Sequence, residues 1–153
     1  MIDLYDITNS HVTVAKDGLT ALKTCEVHAG QIDKFVVGGM QGTIVLPPFD
    51  LVEYKALPPT PGTDRTAQQQ TVYVEHNLVH YIGDRNIRKA SEGLGSVLGL
   101  VGLLIPLFNG KWILGGDGVT KYGPFSFQGA EPFLMTNEII VYQATFAMKG
   151  LVV

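Results

Sequence analysis

Residues 72–82 read V-Y-V-E-H-N-L-V-H-Y-I, and this stretch decides the fold. Val72, Val74, His76, Leu78, His80 and Ile82 project to one side of an extended chain, while Tyr73, Glu75, Asn77, Val79 and Tyr81 project to the other. The period of two and the β-branched and aromatic residues predict a long sheet strand. A second such strand is expected from Glu138 to Lys149, with Ile140, Tyr142, Ala144, Phe146 and Met148 on one face. Ile139, Val141, Gln143, Thr145 and Ala147 form its other face, mixed enough to be covered as well.

Upstream of residue 72, Tyr5, Val12, Ala15, Leu19 and Leu22 fall on one helical face, so a helix is expected to begin near Asp3 or Ser10 and end near Leu22. Thr24 to His28 alternates as a strand, with Cys25 and Val27 on one face and Glu26 and His28 on the other. Ile32, Phe35 and Val36 suggest one helical turn, Thr43 to Leu46 a short strand stopped by Pro47-Pro48, and Phe49 to Tyr54 its resumption. Pro58 to Gln70 is the longest loop, polar and without periodicity, and a long loop of this kind is a place to look for contacts.

Downstream, Asp84 to Lys89 concentrates charge, and a glycine-spaced apolar helix is expected from about Leu94. Gly95, Gly99 and Gly102 cost about 1 kcal/mol each relative to alanine, a cost that close packing of the helix on the sheet would offset. The chain then returns to β signals: Trp112 to Leu114, the turn Gly115-Gly116-Asp117-Gly118, then Phe125, Phe127 and Phe133 to Met135 among turn residues. Adjacent strands after a first helix do not read as repeated βαβ units. The expected fold is therefore one α+β domain over residues 1–153, a mainly antiparallel or mixed sheet with two or three helices packed on one face.

Composition narrows the function. The chain has 153 residues, 46% of them hydrophobic and 16% charged, which is one domain's worth of folding sequence and too apolar for a disordered one. A net charge of −3 lacks the bulk phosphate attraction of a nucleic-acid binder. The opening M-I-D-L-Y-D carries two acids and no base, unlike an export signal. Residues 93–110 are uncharged, but the apolar part from Val97 to Phe108 is about 18 Å long as a helix, against roughly 30 Å of hydrocarbon, so no membrane partner is expected.

Catalytic, metal and cofactor signals are weak. Glu75, His76 and His80 invite a metal reading, yet on a strand the two histidines stand about 13 Å apart and Glu75 points away from them. Both histidines need hydrogen-bond partners if buried. Gly93, Gly95 and Gly99 miss the dinucleotide fingerprint by one residue. The single cysteine, Cys25, excludes an intrachain disulfide and reads as a small buried hydrophobe.

Glu26-Val27 with Gly30-Gln31, the aliphatic run ending at Pro47, Val74 to Arg88 with its basic end, Gly93-Leu94-Gly95 opening a helix, and Val141 to Phe146 together resemble the small tail-region proteins of Mu-like contractile-tailed phages. That family looks like the tail terminators of long-tailed phages. The resemblance implies an α/β protein that forms a six-fold ring with itself at the head-proximal end of the tail. Such a ring caps the tail tube, ends its polymerisation and joins it to the head-tail connector protein. It also implies a virion protein made in the host cytoplasm, contacts with the tube and the sheath protein, and no catalytic residue, cofactor or metal. On this reading Pro58, Thr63, Asp64, Arg65, Gln68, Arg85, Arg88 and Lys89 are the expected subunit or tube contacts. The family's glycine-led helix commonly carries charges, whereas Val97 to Phe108 has none, so this helix is expected to be more buried or pressed against another subunit. The alternatives are another neck or baseplate component, and a small ligand-binding or enzymatic domain built on Glu75, His76 and His80.

Overall fold

The structure, a computed structural model, describes residues 3–33, 45–56, 72–85 and 90–152. Helix α1 (Leu4–Gly18) is followed by strands β1 (Thr24–Val27), β2 (Phe49–Ala56) and β3 (Val72–Arg85), then helix α2 (Ala90–Phe108). Strands β4 (Ile113–Leu114), β5 (Lys121–Tyr122), β6 (Ser126–Met135) and β7 (Ile139–Val152) complete the described chain. The main sheet has the order β1-β2-β3-β7-β6, and β4 with β5 forms a separate two-stranded ribbon. Only β1 and β2 run parallel within the main sheet, the other neighbours being antiparallel. The domain is thus α+β with a mixed sheet, as the sequence predicts.

The two long alternating segments are the middle of the sheet. β3 and β7 pair along their whole lengths, from Val72 opposite Val152 to Arg85 opposite Ile139. Their alternation places Leu78, His80, Ile82, Ile140, Ala144 and Phe146 on the face covered by α1 and α2. The opposite face collects Ile32, Val45, Phe49, Leu51, Val79, Tyr81, Ile139 and Val141. Residues 31–33 are helical and bring Ile32 into this second cluster, while Phe35 and Val36 lie outside the described residues. Of the expected strand Thr43–Leu46, residues 43 and 44 lie outside the described residues, and Val45 and Leu46 are not in a strand.

Helix α1 starts where Asp3 accepts hydrogen bonds from the Tyr5 and Asp6 backbone N–H groups through Oδ1, both at 3.0 Å. Asp3 is thus the cap, and Ser10 is not: inside the helix its hydroxyl donates to the Asp6 carbonyl at 2.7 Å. The helix ends at Gly18, before the expected Leu22, and Leu19 caps it with its N–H on the Ala15 carbonyl. A Cβ on Gly18 would lie 2.5 Å from Leu107 Cδ1, so the end of α1 presses directly on α2. The inward face is Ile7, His11 and Ala15, whereas Tyr5 is 75% exposed.

The β signals at Phe127 and Phe133 to Met135 belong to one continuous edge strand from Ser126, where the sequence reads turn residues between them, and Phe125 precedes it in an isolated bridge to Asn109. Register shifts between Phe127 and Gly129 and between Pro132 and Leu134 let it hold pairing with β7 despite the glycine and proline. Helix α2 turns Val97, Leu100, Val101, Leu104 and Phe108 inward, a burial that contributes on the order of 10 kcal/mol. Gly95, Gly99 and Gly102 lie on the other side, where an added Cβ would meet nothing within 4 Å, so they do not serve close packing on the sheet. Among the described residues no helix is long and apolar enough to cross a membrane.

Candidate functional site

The most unusual feature is a buried polar chain between α1 and the sheet. His11 takes the middle position of the four-spaced inward row Ile7, His11, Ala15, and Asp50 alternates with Val52 on β2. His80 lies on the adjacent strand, opposite Val52. Its Nδ1 donates to Asp50 Oδ2 at 2.8 Å, and its Nε2 is 3.0 Å from His11 Nδ1. All three residues are 0% exposed. The face of His11 stacks on Phe108 with centroids 4.2 Å apart, and Phe125 meets it edge-on at 4.4 Å. His11 Nε2 and Asp50 Oδ1 find no hydrogen-bond partner among the described residues. Burial, and then the neighbouring His80, hold the His11 imidazole well below its ordinary pKa. The order carboxylate, imidazole, imidazole can place and pass a proton, but in this fold it connects a helix to two strands.

His76 and His80 share one face of β3, and Glu75 lies on the other, as alternation requires. The two histidines find separate partners: His76 Nδ1 is 2.5 Å from the Tyr54 hydroxyl, and His80 joins Asp50 and His11. Burial lowers the pKa of His76. Among the described residues no group of three or more His, Cys, Asp or Glu side chains is placed to hold a metal ion. Cys25 lies half-buried on β1 with Sγ 3.5 Å from the Val12 carbonyl. Burial, then Asp50, push its thiol up to about 12. Gly93, Gly95 and Gly99 lie inside α2, not in a turn before it, so they lack the phosphate-facing geometry of a dinucleotide fingerprint.

The opposite sheet face carries a half-exposed cluster. The Tyr81 hydroxyl donates to Glu53 Oε2 at 2.8 Å and accepts from Lys55 Nζ at 2.8 Å. Lys55 also lies 3.6 Å from Glu53, and His28 Nδ1 is 4.0 Å from the same carboxylate oxygen. Burial raises the Tyr81 pKa, so its hydroxyl stays protonated and acts as a cross-strand tie. Near it, Gln31 Nε2 donates to Glu26 Oε1 at 3.0 Å and to the Val27 carbonyl at 3.1 Å. Gly30, at φ +89°, supplies the left-handed turn that brings Gln31 back to β1.

Of the expected contact residues, Arg85 is exposed at the end of β3. Pro58, Thr63, Asp64, Arg65, Gln68, Arg88 and Lys89 lie outside the described residues. The surface feature that sequence reading placed differently is the outer face of α2. Gly95, Gly99, Gly102 and Pro106 recur there at helical spacing, flanked by Leu98 and Leu103, which are 46% and 59% exposed. The face carries no charge from Leu94 to Phe108. Asp50 and His11 are partners of His80 that the sequence-based expectations do not include. The signals were present: Asp50 alternates with Val52 and Tyr54, and His11 falls four residues from both Ile7 and Ala15. No protein-family model matches the chain, and no curated protein matches it.

Proposed function

We propose that this chain is a structural protein of a contractile phage tail, a terminator that assembles into a six-fold ring, caps the head-proximal end of the tail tube and joins it to the head connector. The observation that carries the reading is the outer face of α2. A helix with open glycines and half-exposed Leu98 and Leu103, and with no charge along four turns, suits contact with a second copy better than contact with water. The residues behind the family resemblance also have structural work: Glu26, Val27, Gly30 and Gln31 build the turn leaving β1, and Val141 to Phe146 lie in the central strand β7. The Asp50–His80–His11 chain favours no enzymatic alternative, since all three residues are fully buried.

The test is the mass of the purified protein over a wide concentration range, with negative-stain images of the largest species. Six-fold rings are expected, and Leu98→Glu with Leu103→Glu should abolish them while leaving the far-ultraviolet circular dichroism unchanged. Rings of another symmetry would move the protein to a different neck or baseplate position. A monomer at every concentration that also ignores isolated tail tubes would overturn the reading.

A further inference from the structure

We propose that the His11–His80 contact is an acid-released latch: it holds α1 on the sheet while one proton lies between the two rings and frees α1 when both rings are protonated. The latch is internal to one subunit and is independent of ring formation.

The geometry sets the proton count. Asp50 as a carboxylate only accepts, so His80 Nδ1, 2.8 Å away, carries a hydrogen. Across the 3.0 Å gap between His80 Nε2 and His11 Nδ1, one nitrogen must donate and the other must offer its lone pair. With both rings neutral, His11 donates. With His80 as the imidazolium beside Asp50, His80 donates and His11 carries its one hydrogen on Nε2. A further proton has only His11 Nδ1 left to bind, which sets two hydrogens against each other in the gap and places two cations beside one carboxylate. Neither cation can turn to water, because both rings are 0% exposed and His11 is held between the face contact of Phe108 and the edge of Phe125. Relief therefore requires His11 to leave, and with it the middle of α1.

Among the described residues, the surrounding groups do not supply a second counter-charge. On α1, Asp6 is engaged by the Tyr122 hydroxyl of β5 and the Gly116 N–H, at 2.6 and 2.8 Å, and Lys16 is exposed. β1 offers the Cys25 thiol, β2 offers Tyr54, and β3 offers His76 on Tyr54 and Asp84 on the Ser96 hydroxyl. β7 offers Tyr142, and α2 has no ionisable side chain from Leu94 to Phe108.

The sign follows from the lowered His11 pKa. Released α1 regains an ordinary histidine near 6.5, so below that pH the released form binds more protons and is favoured. The latch is fully closed above about pH 6.5, and its release equilibrium rises about tenfold per pH unit below it until the depressed value is passed. His76 is lowered in the same direction, but it is bonded to Tyr54 on the sheet and so serves as the control.

Amide hydrogen exchange of the full chain between pH 7.5 and 4.5, together with ¹⁵N shifts of the histidine rings, tests the latch. Protection of α1 should fall about tenfold per pH unit below about 6.5 while β3 and β7 stay protected. His11→Asn keeps a polar atom near the Nδ1 position without titrating, and should flatten this dependence; His76→Gln should preserve it. The proposal is overturned if both the His11 and His80 rings become imidazoliums while α1 stays protected, a result readable on the unmodified protein even if His11→Asn does not fold. It is also overturned if His11→Asn keeps the full pH dependence, or if α1 and the central strands lose protection together.

Discussion

Gly83 and Phe49 are register partners on β3 and β2, and their contact predicts a specific stability cycle. A Cβ added at Gly83 would lie 2.3 Å from Phe49 Cζ and under 3.0 Å from both neighbouring ring carbons. Ordinary carbon contacts lie near 3.5–4.0 Å, so the overlap exceeds about 1 Å on a rigid ring. Phe49 is 0% exposed and packed into the second core cluster, which leaves the ring nowhere to retreat. Gly83→Ala should therefore cost about 1–3 kcal/mol through overpacking, more than the few tenths to about 1 kcal/mol regained from a less flexible unfolded chain. Phe49→Ala should cost about 3–5 kcal/mol by leaving a cavity. In the double variant the new methyl group enters that cavity, so the combined cost should fall short of the sum by about 1–3 kcal/mol. Urea unfolding measures all four species, and each kcal/mol corresponds to a shift of about 2–4 °C in Tm for a domain of this size. A Gly83→Ala protein as stable as the parent, or strictly additive costs in the double variant, would refute the steric argument.

The Cys25 thiol is predicted to resist disulfide reagents in the folded state. At pH 8 a pKa raised to about 12 lowers the thiolate fraction on the order of a thousandfold relative to free cysteine, and the greater nucleophilicity of a more basic thiolate restores one to two powers of ten. Labelling should run at least about tenfold slower than for free cysteine and reach the free rate in denaturant; native labelling at the free rate contradicts the burial argument. Asp3→Ala removes the cap of α1 and should cost about 1 kcal/mol in the same urea titration, with Asp3→Asn close to the parent.

The acid response of α1 and the assembly of the outer α2 face make separable predictions. The first involves residues with 0% exposure, and the second involves Leu98 and Leu103 on the surface. Charging the α2 face should leave the exchange profile of α1 unchanged, and removing His11 should leave ring assembly at neutral pH unchanged.

Sequence alone determined the middle of the sheet, because β3 and β7 write their alternation without interruption and both of their faces are covered. It also narrowed the start of α1 to Asp3 or Ser10, since an N-cap is a local interaction between a side chain and the next few amides, and the structure decided for Asp3. It foresaw that His76 and His80 share a face and need partners, but not which ones. The partners Asp50 and His11 stand 30 and 69 residues from His80 along the chain, and no local period encodes a pairing across that distance. The continuity of edge strand β6 was hidden for a related reason: its glycine and proline read locally as turns between β signals, and only pairing with β7 absorbs them as register shifts. The outward direction of Gly95, Gly99 and Gly102 was likewise a tertiary decision. The helix is apolar nearly all round, so its inner face is chosen by which side chains fill the space over Ile82, Ile140 and Phe146, and Val97, Leu100, Leu104 and Phe108 fill it where glycine would leave a void.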